Sequence, residues 1–257
     1  MAVEAYADAF VHGAELLRER SVKVSGKSAA EVVGAFACIS RYIHSKLTLR
    51  QLSARCFWGH SKVLDQREDL LLKLYPDLQI APRPVLVHVH LPETLDGVLF
   101  IENLDTYVQA LAGRPHAVKG LVLVYGAGFR GSAERVRAHD GVSLHYHSSG
   151  ERMSPKRFED WWFGSQTPAW PVWFWGDLDY SGMAILKALR LRFGDVQAWP
   201  AGYAPLVQLL HGGDGHSPDT ADKAEQIDPG YTGCAYADNE LLPVIRQFGR
   251  FVDQEII

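Results

Sequence analysis

Val172-Trp173-Phe174-Trp175-Gly176-Asp177-Leu178-Asp179-Tyr180-Ser181-Gly182-Met183-Ala184-Ile185-Leu186 changes character at its middle. An apolar, aromatic run of strand length stops at a glycine, two aspartates follow at i and i+2, and a serine and a glycine open a helix. In an extended segment residues i and i+2 point to the same side. Both carboxylates therefore face one spot at the strand's carboxyl end, which is where open α/β sheets place their ligands. Two carboxylates that close repel each other unless a cation lies between them or one takes up a proton. Oxygen-only ligation suits magnesium or manganese. The plainer alternative is a turn in which the aspartates cap the next helix, and the two aspartates alone do not separate these readings. A calcium-binding EF-hand loop is excluded, because its twelfth position falls on Ala188 and a strand replaces the incoming helix.

Working outward, short apolar strands alternate with helices after Pro92, the pattern of a mainly parallel sheet. Gly97 to Ile101 predicts a strand ended by Glu102-Asn103, followed by a helix over Thr106 to Leu111. Leu121 to Tyr125 predicts the next strand, then a glycine loop and a helix over Ser132 to His139. Ser154-Pro155 starts a helix through Trp162, with proline in its first turn. Beyond the quoted stretch come a helix over Met183 to Phe193, a strand near Val196 to Trp199 and a helix near Tyr203 to Leu210. The run His211 to Gly233, rich in Gly, Asp and Pro, predicts a long mobile loop, and Asn239 to Phe248 a closing helix.

The first 75 or so residues predict helices. Glu4 to Glu19 carries apolar residues near helical spacing, and Ser28 with Glu31 forms a capping box for Ala29 to His44. Thr48 with Gln51 is a second box, opening a short helix that ends in the turn Trp58-Gly59-His60, after which Ser61 would cap a helix over Lys62 to Leu74. Helix, glycine turn, helix is the helix-turn-helix pattern. Arg50, Arg55, Lys62 and Arg67 then suit phosphates, unless the segment is an ordinary packing unit with a solvated basic face. Three prolines between Pro76 and Pro84 mark a linker, and Val85 to His90 predicts a strand.

Composition sets the class. The chain has 257 residues, 47% of them hydrophobic and 22% charged, which supports a real core in an ordinary soluble protein. No apolar run approaches the ~20 residues of a membrane span, and three scattered cysteines fit reduced thiols of a cytoplasmic protein. The net charge of -4 is unevenly spread. Residues 1–95 hold 12 Lys and Arg against 10 Asp and Glu, and the remainder hold 14 against 20.

Glu102 supplies a third acid directly after a strand, as Asp177 does, so all three lie at the carboxyl edge of one predicted sheet. Strand–Glu, strand–glycine loop, strand–Asp-x-Asp is the order of the Toprim domain, in which acids hold a divalent cation against a phosphodiester. The likeness extends further. Ile101-Glu102-Asn103, Tyr125-Gly126-Ala127-Gly128-Phe129, Trp175-Gly176-Asp177-Leu178-Asp179 and Arg250-Phe251-Val252-Asp253-Gln254-Glu255 resemble the JetD family, the Toprim nuclease subunits of bacterial Wadjet anti-plasmid systems. Leu52 to Lys62 resembles that family's winged-helix segment, and the family is in turn similar to the A subunit of type IIB topoisomerases.

The resemblance implies an α/β fold. A helical, winged-helix-like DNA-binding module (1–80) and a linker with a strand (81–95) would precede a Rossmann-like, mainly parallel Toprim catalytic domain (96–257). It implies catalysis by Glu102, Asp177 and Asp179, with Mg2+ or Mn2+ held by those acids and by Glu255. DNA would be gripped by Arg55, Lys62, Arg130, Arg135 and Arg137, in a homodimer partnered by an SMC-like ATPase complex with kleisin-like subunits. Cleavage would be hydrolytic. The alternatives are a topoisomerase-like transesterase attacking through Tyr42, and a non-catalytic subunit of the same complex. The chain departs from the family pattern at His60, where an acid is expected, at Tyr180, where proline is, and at Asp253, where glutamate is.

Two further motifs compete. Gly126-Ala127-Gly128-Phe129-Arg130-Gly131 is a formal dinucleotide fingerprint, but the next strand candidate, Val142 to His147, runs into Ser148-Ser149-Gly150 instead of an acid. His88-x-His90 and His145-x-His147 each place two imidazoles on one strand face, as zinc sites do, without a third ligand nearby in sequence.

Overall fold

In a computed structural model, residues 15–113, 115–126, 136–147, 154–164, 170–221 and 223–256 are described. The chain divides into two compact units, with the boundary between Arg83 and Pro84.

The first unit contains a single helical turn α1 (Leu16–Glu19), then α2 (Ala29–Cys38), β1 (Leu47–Thr48), α3 (Leu49–Cys56), α4 (Glu68–Leu74) and β2 (Ile80–Ala81), the last pairing in parallel with β1. The expected helix from Glu4 lies mostly outside the described residues. Both capping boxes are present. Ser28 and Glu31 close on each other at the start of α2, as do Thr48 and Gln51 at the start of α3. Phe36, Ile39, Leu52, Phe57, Leu64, Leu71 and Leu74 form the core, with the Phe36 and Phe57 rings edge to face at 5.0 Å.

The helix expected from Lys62 begins only at Glu68. The chain turns over 61–66 because Leu64 is pinned inward, its N–H donating to the buried Ser53 hydroxyl at 3.4 Å. Gln66 sits at a φ of 61° and the Arg67 guanidinium donates to the carbonyls of Val63 and Asp65. These local contacts outcompete the helix pattern.

The second unit is built on a six-stranded sheet of β3 (Val85–His90), β4 (Gly97–Ile101), β5 (Leu121–Gly126), β6 (Val142–Tyr146), β7 (Val172–Trp175) and β8 (Val196–Ala198). Its order is β6-β3-β5-β4-β7-β8, with β5, β4, β7 and β8 parallel. β3 and β6 run parallel to each other and antiparallel to β5. The strand at Val85, expected beside the linker, therefore belongs to this sheet. β4 is buried on both faces, as central parallel strands are.

Side-chain alternation decides which helices cover which face. Ile101, Tyr125 and Trp175 are level on neighbouring strands and share one face; Phe100, Val124 and Phe174 share the other. α5 (Leu104–Leu111) stacks Tyr107 on Tyr125 at 5.5 Å. α6 (Pro155–Phe163) and α7 (Tyr180–Phe193) set Trp162 and Phe193 against Phe100 at 5.8 and 5.0 Å, on the opposite face. α8 (Pro200–Gly212) returns to the first face, where Gly202 lies against the Trp175 indole so closely that a Cβ there would meet the ring at 2.6 Å. α9 (Leu242–Phe248) packs on α7 and α8. The architecture is mixed α/β with a mostly parallel central sheet. Among the described residues no helix is long and apolar enough to cross a membrane.

Candidate metal centre

The register of β4 against β7 places the acids. Ile101 pairs with Trp175, and the N–H of Glu102 continues the ladder to the Trp175 carbonyl at 3.0 Å. Glu102 is therefore level with Gly176, one residue before Asp177. Gly176 is required by this closeness, since a Cβ on it would lie 2.2 Å from Glu102 Oε2. Its buried N–H donates to the Tyr203 hydroxyl at 3.0 Å, which fixes the end of β7 from below. Glu102, Asp177, Asp179, Ser181, Lys223, Glu225 and Gln226 line one pocket of about 290 Å³.

Each acid is held differently. The N–H of Asp177 donates to Glu102 Oε2 at 3.3 Å. Asp177 accepts from the N–H of Gln254 on Oδ1 and from Lys223 Nζ on Oδ2, both at 2.9 Å. Asp179, fully buried, caps α7 by accepting from the Gly182 N–H at 2.7 Å. Its other oxygen receives Gln226 Nε2 at 2.8 Å and lies 2.9 Å from Lys223 Nζ. The helix-capping alternative thus holds for one oxygen of Asp179, while its second oxygen joins Asp177 in facing a common cation.

Charge in this pocket is strained. Burial, then the neighbouring Asp177 and Asp179, push the Glu102 carboxyl up to about 8, so it carries a proton at neutral pH. Burial also raises Asp177. For Lys223 burial works against the charge, but the hydrogen bonds it donates to Asp253 and Asp177 overcome it and hold the ammonium above its usual range. Asp253 accepts from Lys223 at 2.7 Å and faces His216 Nε2 at 3.1 Å; against the effect of burial, these partners keep it below the usual carboxylate range.

Among the described residues no group of three or more His, Cys, Asp or Glu side chains is arranged to hold a metal ion. Two carboxylates converge instead, and the point they share is taken by an ammonium. The donor chemistry nonetheless fits a hard divalent cation: the ligating atoms are oxygens, the acids outnumber the lysine, and a cation already sits at their focus.

Sequence reasoning had no place for Lys223 and Gln226, which lie in the run expected to be a mobile loop. That run instead contains a 3₁₀ turn (Pro218–Ala221) and docks on the acids. One signal was available, since Lys223 is the only lysine after Lys187, isolated in the acidic half of the chain. The tail was also underestimated. Val252 and Phe251 bridge to Leu178 and His216, and the buried Gln254 side chain ties the ends of β4 and β7 by accepting from Asn103 N–H and donating to the Trp175 carbonyl. The tail acid that reaches the centre, through Lys223, is Asp253. Glu255 is exposed and accepts from the amide of Asn103, which caps α5.

The basic candidates have varied surroundings. Arg137 spends its donors on the carbonyls of Trp161, Trp162 and Arg192, tying α6 to α7. Arg130 and Arg135, with most of the glycine fingerprint, lie outside the described residues. In the first unit Arg50 pairs with Asp65 at 2.9 Å, whereas Lys62 is exposed. Arg55 lies over the Tyr42 ring at 5.7 Å from its centroid. The four histidines share one face of β3 and of β6 with the residue that follows it, the His88–His145 and His90–His147 rings 5.9 and 6.4 Å apart, but among the described residues no third His, Cys, Asp or Glu joins them to complete a zinc site.

A family model described as Wadjet protein JetD, C-terminal, matches residues 63–200, more than half of the chain. The matched stretch contains Glu102, Asp177 and Asp179 and ends before Lys223 and the tail. No curated protein matches the chain.

Proposed function

The chain belongs to the Wadjet protein JetD family and so to an anti-plasmid system, and from that premise we propose that it is the system's divalent-metal-dependent DNA endonuclease. One observation carries the reading: Asp177 and Asp179, at the carboxyl edge of a parallel sheet, both place an oxygen 2.9 Å from a single cation, with Glu102 on the neighbouring strand. The order of Glu102 after β4, Gly126 at the end of β5 and Asp177-x-Asp179 after β7 supports a Toprim reading, and the helices that precede them in the chain support a winged-helix-like one.

Asp177 and Asp179 would hold Mg2+ or Mn2+, with Glu102 joining once it has lost its proton. The ion would supply Lewis-acid polarisation of the phosphodiester and a more acidic water. The protein's own contribution is rigid placement. Gly176 lets Glu102 approach, Tyr203 and Gln254 lock the strand ends, and Asp179 is fixed by the first turn of α7. Burial and the two aspartates keep the Glu102 carboxyl protonated in the empty pocket, so it would give up that proton as the cation enters. Exposed bases such as Lys62 and Arg55 would hold backbone phosphates, and the rest of the Wadjet complex, an SMC-like ATPase with kleisin-like subunits, would present the DNA.

Incubation of the purified chain with circular and linear DNA and manganese tests this, with Glu102→Ala alongside. Wild type should yield free ends and the variant none. A detergent quench and phenol extraction separate hydrolysis from attack by Tyr42, since a covalent intermediate would carry labelled DNA with the protein. Cleavage that survives Glu102→Ala or chelation would remove the assignment.

A further inference from the structure

We propose that Lys223 is a counter-ion built into the centre, which a divalent metal must displace, so that the segment from Gly213 to Gly233 controls metal loading. The inference rests on reading Asp177 and Asp179 as metal ligands. Its own basis is position. Lys223 Nζ lies 2.9 Å from Asp177 Oδ2 and 2.9 Å from Asp179 Oδ2, bridging the two oxygens. An ion bound to those oxygens at ~2.1 Å would fall within contact distance of the ammonium, and two cations do not share such a point. Metal and lysine therefore exclude each other.

The lysine has somewhere to go. Asp253 Oδ1, 2.7 Å away, is a third partner on the tail that does not belong to the strand-end pair, so the ammonium can retreat toward it and stay neutralised. The carrier is built to let this happen. Gly213, Gly215, Gly230 and Gly233 all have positive φ at its two ends, a conformation open to glycine and strained for other residues. Those ends are anchored independently of the acids, by Arg250 to the Gly213 and Gly215 carbonyls and by Arg246 to Asp228. Between the anchors, what touches the acids is polar: Lys223, and Gln226 bonded to Asp179 and to the Ser181 N–H. Ile227 beside them is 84% exposed and contributes no apolar seal. Contacts of this kind can be exchanged for water and metal ligation.

The test is a manganese titration of the full chain without DNA, read by calorimetry and by the electron paramagnetic resonance of free Mn2+. Wild type is compared with Lys223→Met and with Asp179→Asn. Lys223→Met should bind at least ten-fold more tightly than wild type with the same stoichiometry, and Asp179→Asn should lose the site. Equal or weaker binding by Lys223→Met, with wild type binding normally, overturns the inference while leaving the metal centre intact. No binding by either chain overturns the metal reading and this inference with it. Should Lys223→Met fail to fold, hydrogen exchange of the wild-type chain decides. Manganese should speed exchange across 216–226; protection of that stretch would refute displacement.

Discussion

Replacing Glu102 by glutamine should make the metal-free protein less sensitive to alkali, by an amount the pocket sets. Glu102 is pushed from 4.5 to about 8 by burial and by the adjacent aspartates. Because its folded value lies above its unfolded one, the stability tied to the neutral form is complete below about 4.5 and is lost as pH rises towards 8. At ~1.4 kcal/mol per pH unit the loss is about 3 kcal/mol at pH 7 and about 5 kcal/mol above pH 9. Glutamine keeps the side chain's length, still offers an oxygen to the Asp177 N–H and never ionises. Urea unfolding in EDTA, followed at pH 5, 7 and 9, reads the difference directly. The two proteins should be nearly equal at pH 5, with the variant more stable by several kcal/mol at pH 9. A gap that stays constant from pH 5 to pH 9 would mean that Glu102 is not held neutral by this pocket. Manganese should reverse the ranking, since the variant cannot supply an anion to the centre.

Tyr203→Phe removes the acceptor of the buried Gly176 N–H and should cost about 1–3 kcal/mol in thermal or urea unfolding; an unchanged midpoint would show that the bond does not support the end of β7. Gly176→Ala puts a methyl 2.2 Å from Glu102 Oε2 and 2.7 Å from the Phe174 ring, so manganese-dependent cleavage should fall at least a hundred-fold even where the variant folds, as checked by circular dichroism. Asp177→Ala should abolish cleavage yet keep DNA association in a gel-shift assay, with affinity falling steeply as salt rises. Binding that ignores salt, or is lost with the carboxylate, would contradict phosphate gripping by separate bases.

What the sequence disclosed follows from how each feature is encoded. The strands β3, β4, β5 and β7 announce themselves as short apolar runs, and the two capping boxes as local side-chain to backbone contacts, so both are visible within a few residues. The nearness of Glu102 and Asp177 was legible because they come one and two residues after β4 and β7, which the parallel register sets side by side, while Asp179 caps the helix that follows. Lys223, Gln226 and Gln254 were not legible, since their roles depend on chain returning from 46 to 151 residues away, which no local pattern records. The false start of α4 has the opposite cause: helical spacing from Lys62 was real, but Ser53 and Arg67 captured the backbone there. The resemblance put Glu255 among the metal ligands and noted Asp253 only as a departure from an expected glutamate, whereas Asp253 is the tail acid that accepts from Lys223.

The central claim is that Asp177 and Asp179 form a divalent-cation centre at the sheet's carboxyl edge. Crystals of the protein soaked in manganese, with diffraction recorded at the manganese absorption edge, test it most directly. The account predicts one dominant anomalous peak ~2.1–2.3 Å from an oxygen of each aspartate, with the Lys223 ammonium moved off that point towards Asp253. A dominant peak elsewhere, such as on the His88 and His145 face, or none while Lys223 still spans both aspartates at full manganese occupancy of the solvent, would contradict it.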